Sequence, residues 1–219
     1  MPRQQRPCDV IAFDLDGTLV NTSGLHVAAT QAAARAVFGE EVAPVLVTKS
    51  IGQPLQASMR LISNGREQID ALMTAFLSYY TMHESAGAQP FPEAIPTLQA
   101  LHASGMPLAL LSNKLRAWGN AEIVRLGLAP FFTSVIFMED MPAPKPSALA
   151  LQPLLKACKV AAKRVLVIGD GVGDVQCAHA AGAQSGAALW GPHDPAPLVA
   201  AHPTHTFYQM ADILRLVEL

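Results

Sequence analysis

Charge is scarce in this chain of 219 residues. Lys and Arg number 15 against 17 Asp and Glu, a formal net charge of -2. Charged residues make up 15% of the chain, where an average globular protein has roughly 25%. Without a basic excess, electrostatic binding to nucleic acid or to anionic lipid is not expected, since both draw on clustered Lys and Arg. A hydrophobic share of 51% excludes disorder. Long apolar runs are also missing, and none approaches the roughly 18 residues of a membrane span. Met1 to Pro7 carries arginine but no long apolar run behind it, so no secretory signal is expected there. Cysteine is scarce: Cys8, Cys158 and Cys177 are far apart, odd in number and form no C-x-x-C. That pattern argues against a disulfide framework and fits small buried filler in a reducing compartment. The expected location is the cytoplasm.

What is present is a rhythm. Val10-Ile11-Ala12-Phe13 is an apolar run that stops abruptly at Asp14. Leu108 to Leu111 stops at Ser112-Asn113, Val135 to Met138 is a third run, and Val165 to Ile168 stops at Gly169-Asp170. Ser185 to Leu189 is a weaker fifth. Runs of this length without alternation predict buried parallel strands. Helical spacing is read at 94–103, 118–126, 148–158 and 174–181, the last closed by Gly182. Alternating strand and helix predict an α/β fold: a doubly wound, mostly parallel, Rossmann-like sheet. One gap breaks the rhythm, the stretch of about eighty residues between Asp14 and Pro92. It shows helices at 22–38, starting at Thr22 or Ser23, and at 67–83, but no strand signal. The prediction is a core of residues 1–19 and 88–219 with a helical insert at 20–87. Leu19 to Asn21 would lead out and Ser85 to Pro90 would lead back.

Ligands of an open parallel sheet bind at the carboxyl ends of its strands. Here those ends read Asp14-Leu15-Asp16-Gly17-Thr18, Ser112-Asn113-Lys114 and Gly169-Asp170-Gly171-Val172-Gly173-Asp174, with Lys145-Pro146 after the third strand. One hydroxyl, one lysine and four carboxylates are expected to converge. Crowded carboxylates raise one another's pKa values. A hard divalent cation relieves this, and magnesium suits it because it keeps open positions for water and phosphate. With one Mg²⁺ and one Lys⁺, about one negative charge remains. Protonation of Asp16 would remove it, and a general acid must be protonated.

These motifs, in this order, resemble the four motifs of the haloacid dehalogenase-like phosphohydrolase superfamily. The resemblance spans essentially the whole chain. The insert looks like the helical cap of the phosphoglycolate phosphatase-like branch, and Gly52-Gln53-Pro54-Leu55 resembles a segment common in such caps. The resemblance implies a magnesium-dependent phosphatase acting on a small phosphate ester. Asp14 would attack phosphorus, and Asp16 would protonate the leaving alcohol and then deprotonate water. Ser112 and Asn113, with backbone N–H groups from Leu15 onward, would hold the phosphate, and Lys145 would offset its charge. Asp14, Asp170, Asp174 and the Asp16 carbonyl would form the metal site. Lys114 reads equally as a solvent-facing lysine or as a contact to the leaving group. Lys49, Gln53 and Arg60 read first as polar positions on helix surfaces, with contact to substrate as the alternative.

The dehalogenases of the superfamily lack a second aspartate at the position of Asp16, because their leaving group needs no proton. Asp16 therefore favours phosphate esters. Two positions depart from the common pattern: Asn21-Thr22 stands where many relatives have Asp-Ser, and Gly171 where many have Ser or Thr. Three look-alikes fail. An EF-hand loop starting at Asp14 would need Gly and Glu where Leu19 and Leu25 stand, a dinucleotide loop from Gly169 meets Asp174, and no phosphate-loop Gly-Lys-Ser or Gly-Lys-Thr occurs. The rival readings are a phosphomutase of the same branch, a phospho-accepting signalling domain and a silent binding protein. No nucleic acid or membrane partner is expected, and the protein is expected as a monomer or homodimer.

Overall fold

The computed structural model describes residues 6–191 and 194–217. The reading of the first seven residues falls mostly outside them. The chain divides into two compact units, one of Met1–Val20 with Pro90–Leu219 and one of Asn21–Gln89.

The first unit is built on a six-stranded sheet in which every pairing is parallel. Its strands are β1 (Val10–Phe13), β4 (Leu108–Leu111), β5 (Ser134–Ile136), β6 (Val165–Gly169), β7 (Gln184–Ala188) and β8 (His205–Phe207). The spatial order is β5-β4-β1-β6-β7-β8. Every residue of β1, β4 and β6 is buried, which is why these strands are continuous apolar runs. On one face Val10, Ala12, Ala109, Leu111, Val165 and Val167 pack with Leu151, Leu154, Cys177 and Ala178. Those last four come from a 3₁₀ turn at Ala148–Leu151 and from α7 (Gln152–Cys158) and α8 (Val172–Ala181). The remaining helices of this unit are α5 (Ala94–Ala103), α6 (Arg116–Arg125) and α9 (Pro195–Ala200).

The order of strands explains where a ligand belongs. From β1 the chain adds β4 and β5 on one side, then crosses back to add β6, β7 and β8 on the other. β1 is thus the switch point of the sheet, where a crevice opens at the strand ends. Phe13 lies opposite Leu110 on one side and Ile168 on the other. Asp14 therefore follows level with Leu111 and Gly169, and its N–H donates to the Ile168 carbonyl at 2.9 Å.

The second unit is helical: α1 (Ser23–Phe38), α2 (Pro44–Ser50), α3 (Leu55–Ser63) and α4 (Ile69–Gly87). Its interior holds Leu25, Ala29, Ala33, Met59, Ile62, Leu72 and Phe76. Lys49, Gln53 and Arg60 are exposed, and the Gln53 amide donates to the Lys49 carbonyl.

Several expectations need correction. The gap does contain strands, β2 (Val20–Asn21) and β3 (Gln89–Pro90), which pair as a two-stranded ribbon. Two residues carry no periodicity to read. α2 and α3 were also missed, being only 7 and 9 residues long. Ser85 to Gly87 is not linker but the last turn of α4. Gly87 is there because α1 packs close: a Cβ on it would lie 3.0 Å from Leu25 Cβ. The third strand begins at Ser134 and stops at Ile136, so Phe137 and Met138 lie beyond it. β8 was missed because His-Thr-Phe at a sheet edge has no apolar run. Among the described residues, no helix is long and apolar enough to cross a membrane. All three cysteines are free, with Cys8 and Cys177 buried.

Candidate active site

Three adjacent strands deliver the site. Asp14 follows β1, Ser112 follows β4 and Asp170 follows β6; Lys145 comes from the loop after β5, and Asp174 lies in the first turn of α8. An acidic side chain is favoured there by the unpaired N–H groups and the dipole of the helix start. Asp174 Oδ2 accepts from the Gly171 N–H at 3.1 Å. The backbone supplies this bond, so a side chain at 171 is not needed for it.

Among the described residues, Asp14, Asp170 and Asp174 form a buried group, and one carboxylate oxygen from each lies within 4.8 Å of the others. The Lys145 ammonium is buried with them. It sits 3.0 Å from Asp14 Oδ1 and 2.6 Å from Asp174 Oδ1, and donates to the Leu111 carbonyl at 3.0 Å. Burial pushes the Asp14 carboxyl up to about 6; Lys145 opposes the rise and Asp174 adds to it. Asp170 is held well above the usual carboxylate range by burial and by its two acidic neighbours. Burial works against the charge on Lys145, but Asp14 and Asp174 outweigh it and hold the ammonium above the ordinary lysine range. Three carboxylates against one ammonium leave two negative charges without compensation. A hard divalent cation supplies that charge, and an all-oxygen donor set is what such a cation takes.

The turn after β1 is wound tightly. The Leu15 carbonyl accepts from the N–H groups of Leu19 and Val20 at 2.9 Å. Thr18 locks this turn to β6: its hydroxyl donates to Asp170 Oδ1 at 2.8 Å and accepts from the Asp170 N–H at 3.1 Å. Gly17 has φ +78°, and a Cβ on it would fall 2.2 Å from Asp170 Oδ2. A Cβ on Gly169 would fall 2.1 Å from the Asp174 carboxyl carbon. The acidic group is thus set against bare backbone. Gly169→Ala is expected to cost about 1–3 kcal/mol of stability, as overpacking does. Denaturant unfolding measures it, and a midpoint equal to the parent's would remove this account of Gly169.

The expected site residues do not all behave alike. The Leu15 N–H donates to Asp14 Oδ1 at 2.7 Å, and the Leu15 side chain is fully buried. The Asn113 amide clamps the Lys145 backbone from both sides, donating to its carbonyl at 3.1 Å and accepting from its N–H at 3.0 Å. Ser112 is buried, and its hydroxyl accepts from the Lys114 N–H at 3.3 Å. Three of the four expected carboxylates share the buried group; Asp16 stands near enough to add to the rise at Asp14, and its Oδ1 lies 2.8 Å from the Lys114 ammonium. Lys114 does not face solvent. Its ammonium also meets Glu122 Oε2 at 2.7 Å. Glu122 escaped the sequence reading, although a Glu on the inward stripe of a helix was a visible anomaly. Thr18 and Trp190 were missed as well; the Trp190 indole donates to the Thr18 carbonyl at 2.8 Å.

Residues 11–188 match the family model described as haloacid dehalogenase-like hydrolase. A phosphoglycolate phosphatase of Vibrio cholerae is 32% identical over 221 residues, spanning 95% of this chain and 96% of that protein. Another, from Aquifex aeolicus, is 27% identical over 209 residues, spanning 95% and 96%. Among solved structures, a haloacid dehalogenase-like family hydrolase from Streptococcus pneumoniae superposes with a TM-score of 0.85. It is 25% identical and covers 96% of this chain and 99% of its own.

Proposed function

The chain belongs to the haloacid dehalogenase-like hydrolases, and on that footing we propose that it is a magnesium-dependent phosphatase, hydrolysing a small phosphorylated metabolite through an aspartyl-phosphate on Asp14. The observation that carries this is the Lys145 ammonium bridging Asp14 and Asp174 beside Asp170, at the ends of three central strands. A carboxylate so placed is a nucleophile whose negative charge the ammonium offsets in part. The phosphoglycolate phosphatases among its relatives make a phosphorylated hydroxy acid the first substrate to test.

A carboxylate oxygen of Asp14 attacks phosphorus, and the bond from phosphorus to the leaving oxygen breaks. Asp16 gives its proton to that oxygen, so the product leaves as an alcohol. Water then attacks phosphorus, Asp16 takes a proton from it, and the bond to Asp14 breaks to release phosphate. The Ser112 hydroxyl donates to a phosphoryl oxygen, and Lys145 offsets the charge that spreads in the transition state. Asp14, Asp170 and Asp174, with the Asp16 carbonyl, would hold the magnesium, which supplies Lewis-acid neutralisation of the phosphoryl charge. Residues 20–87 act as the cap that selects the leaving group.

Phosphate release over a panel of phosphorylated hydroxy acids, sugars and nucleotides tests this. Turnover is expected with magnesium, little with calcium and none with a chelator. At about 100 times its Kd, magnesium should also raise the Tm by about 5–10 °C. Full turnover in chelator would remove the metal from the proposal, and isomerisation of a sugar phosphate with little free phosphate would make the protein a mutase.

A further inference from the structure

The pattern of α6 is inverted. Its buried positions are Gly119, Glu122 and Ile123, the i, i+3, i+4 stripe that faces the interior. Glu122 is fully buried there, while Val124 on the same helix is 62% exposed. A buried carboxylate costs several kcal/mol in lost hydration, and an apolar pair in place of a buried ion pair is often neutral or better for stability. Packing alone does not account for a glutamate at this place. Its partner does: the Lys114 ammonium lies between Glu122 Oε2 at 2.7 Å and Asp16 Oδ1 at 2.8 Å.

Lys114 is held at both ends. Its N–H donates to the Ser112 hydroxyl at 3.3 Å, and its carbonyl accepts from the Met138 N–H at 3.2 Å. The four-carbon stem between is flexible, and a lysine so mobile is drawn to any anion within reach. Beside a pocket that takes phosphate, Glu122 is a second fixed anion that holds the ammonium on Asp16. We propose that Glu122 is a positioning residue for Asp16, holding the Lys114 ammonium against Asp16 Oδ1. Oδ2 is then the oxygen that exchanges the proton. An ammonium donates to a carboxylate oxygen and, more weakly, to the carbonyl oxygen of a carboxylic acid, so the contact has an acceptor in both protonation states. The arrangement is that of a base oriented by a further group. This rests on the reading of Asp16 as acid and base.

The test is a series of phosphate esters from p-nitrophenyl to simple alkyl, with kcat and KM measured for the parent, Asp16→Asn, Glu122→Gln and the apolar pair Lys114→Met with Glu122→Leu. Asp16→Asn should lose most on alkyl esters, whose leaving groups need the proton. Glu122→Gln should follow the same slope, with kcat on alkyl esters down about tenfold, a far smaller loss on p-nitrophenyl phosphate and KM little changed. The apolar pair should show the slope too, at a Tm no lower than the parent's. If Asp16→Asn shows the slope while Glu122→Gln and the apolar pair lose equally on all esters, or lose nothing, the inference is overturned alone. If Asp16→Asn is flat, the acid reading falls and the inference falls with it.

Discussion

Asp14→Asn is expected to lower phosphate release by roughly four orders of magnitude or more, as loss of a covalent nucleophile does. The amide has the shape of the carboxylate but cannot attack phosphorus as an anion. The chain should nonetheless fold. Burial pushes the Asp14 carboxyl up to about 6, with Asp174 and Asp16 adding to the rise and Lys145 opposing it, so a neutral side chain there removes a desolvation cost. Lys145 keeps two of its partners, Asp174 and the Leu111 carbonyl. The Tm should stay equal or rise. An acid-quenched reaction should leave the parent, but not the variant, heavier by one phosphoryl group. Turnover by Asp14→Asn equal to the parent's would refute the nucleophile.

Lys145→Met should damage both function and fold. The ammonium lies against both Asp14 and Asp174, and all three groups are buried. Removing one partner of a buried ion pair costs about 3–5 kcal/mol, because the remaining charges are left uncompensated. In chelator the loss should be largest. Magnesium should restore more stability to the variant than to the parent, since the ion then replaces the missing charge. Adding Asp174→Asn to Lys145→Met should recover stability without activity. Thermal melts with and without magnesium measure both, alongside phosphate release, expected to fall by about 10²–10³. A variant as stable in chelator as the parent would mean that the acidic group does not depend on Lys145.

The readable parts of this molecule are those where burial leaves a mark on residue type. β1, β4 and β6 are buried on both faces, so they appear as unbroken apolar runs, and a charge at the end of each is conspicuous. β7 is buried too, but Gln-Ser-Gly-Ala-Ala carries a weak signal because small residues serve there. β2, β3 and β8, of two, two and three residues, are too short to display a repeating pattern. At the site, the identity of each charged side chain was legible but its partner was not. Asn113 looked like a phosphate ligand and is engaged with the Lys145 backbone. Lys114 looked half free and is held between two carboxylates.

By itself the sequence determined the class of fold, the family and the set of polar residues at the strand ends. Those depend on composition and spacing along the chain, which a parallel sheet converts directly into position. Only the tertiary structure decided which charges share a pocket. Lys145 meets Asp14 across 131 positions of sequence, a pairing no local period can encode. The thin charge of the chain acquires its meaning there: three carboxylates and a lysine are desolvated together, and a second lysine is held by a buried glutamate. Electrostatic energy depends on distance and burial, and both are set by packing.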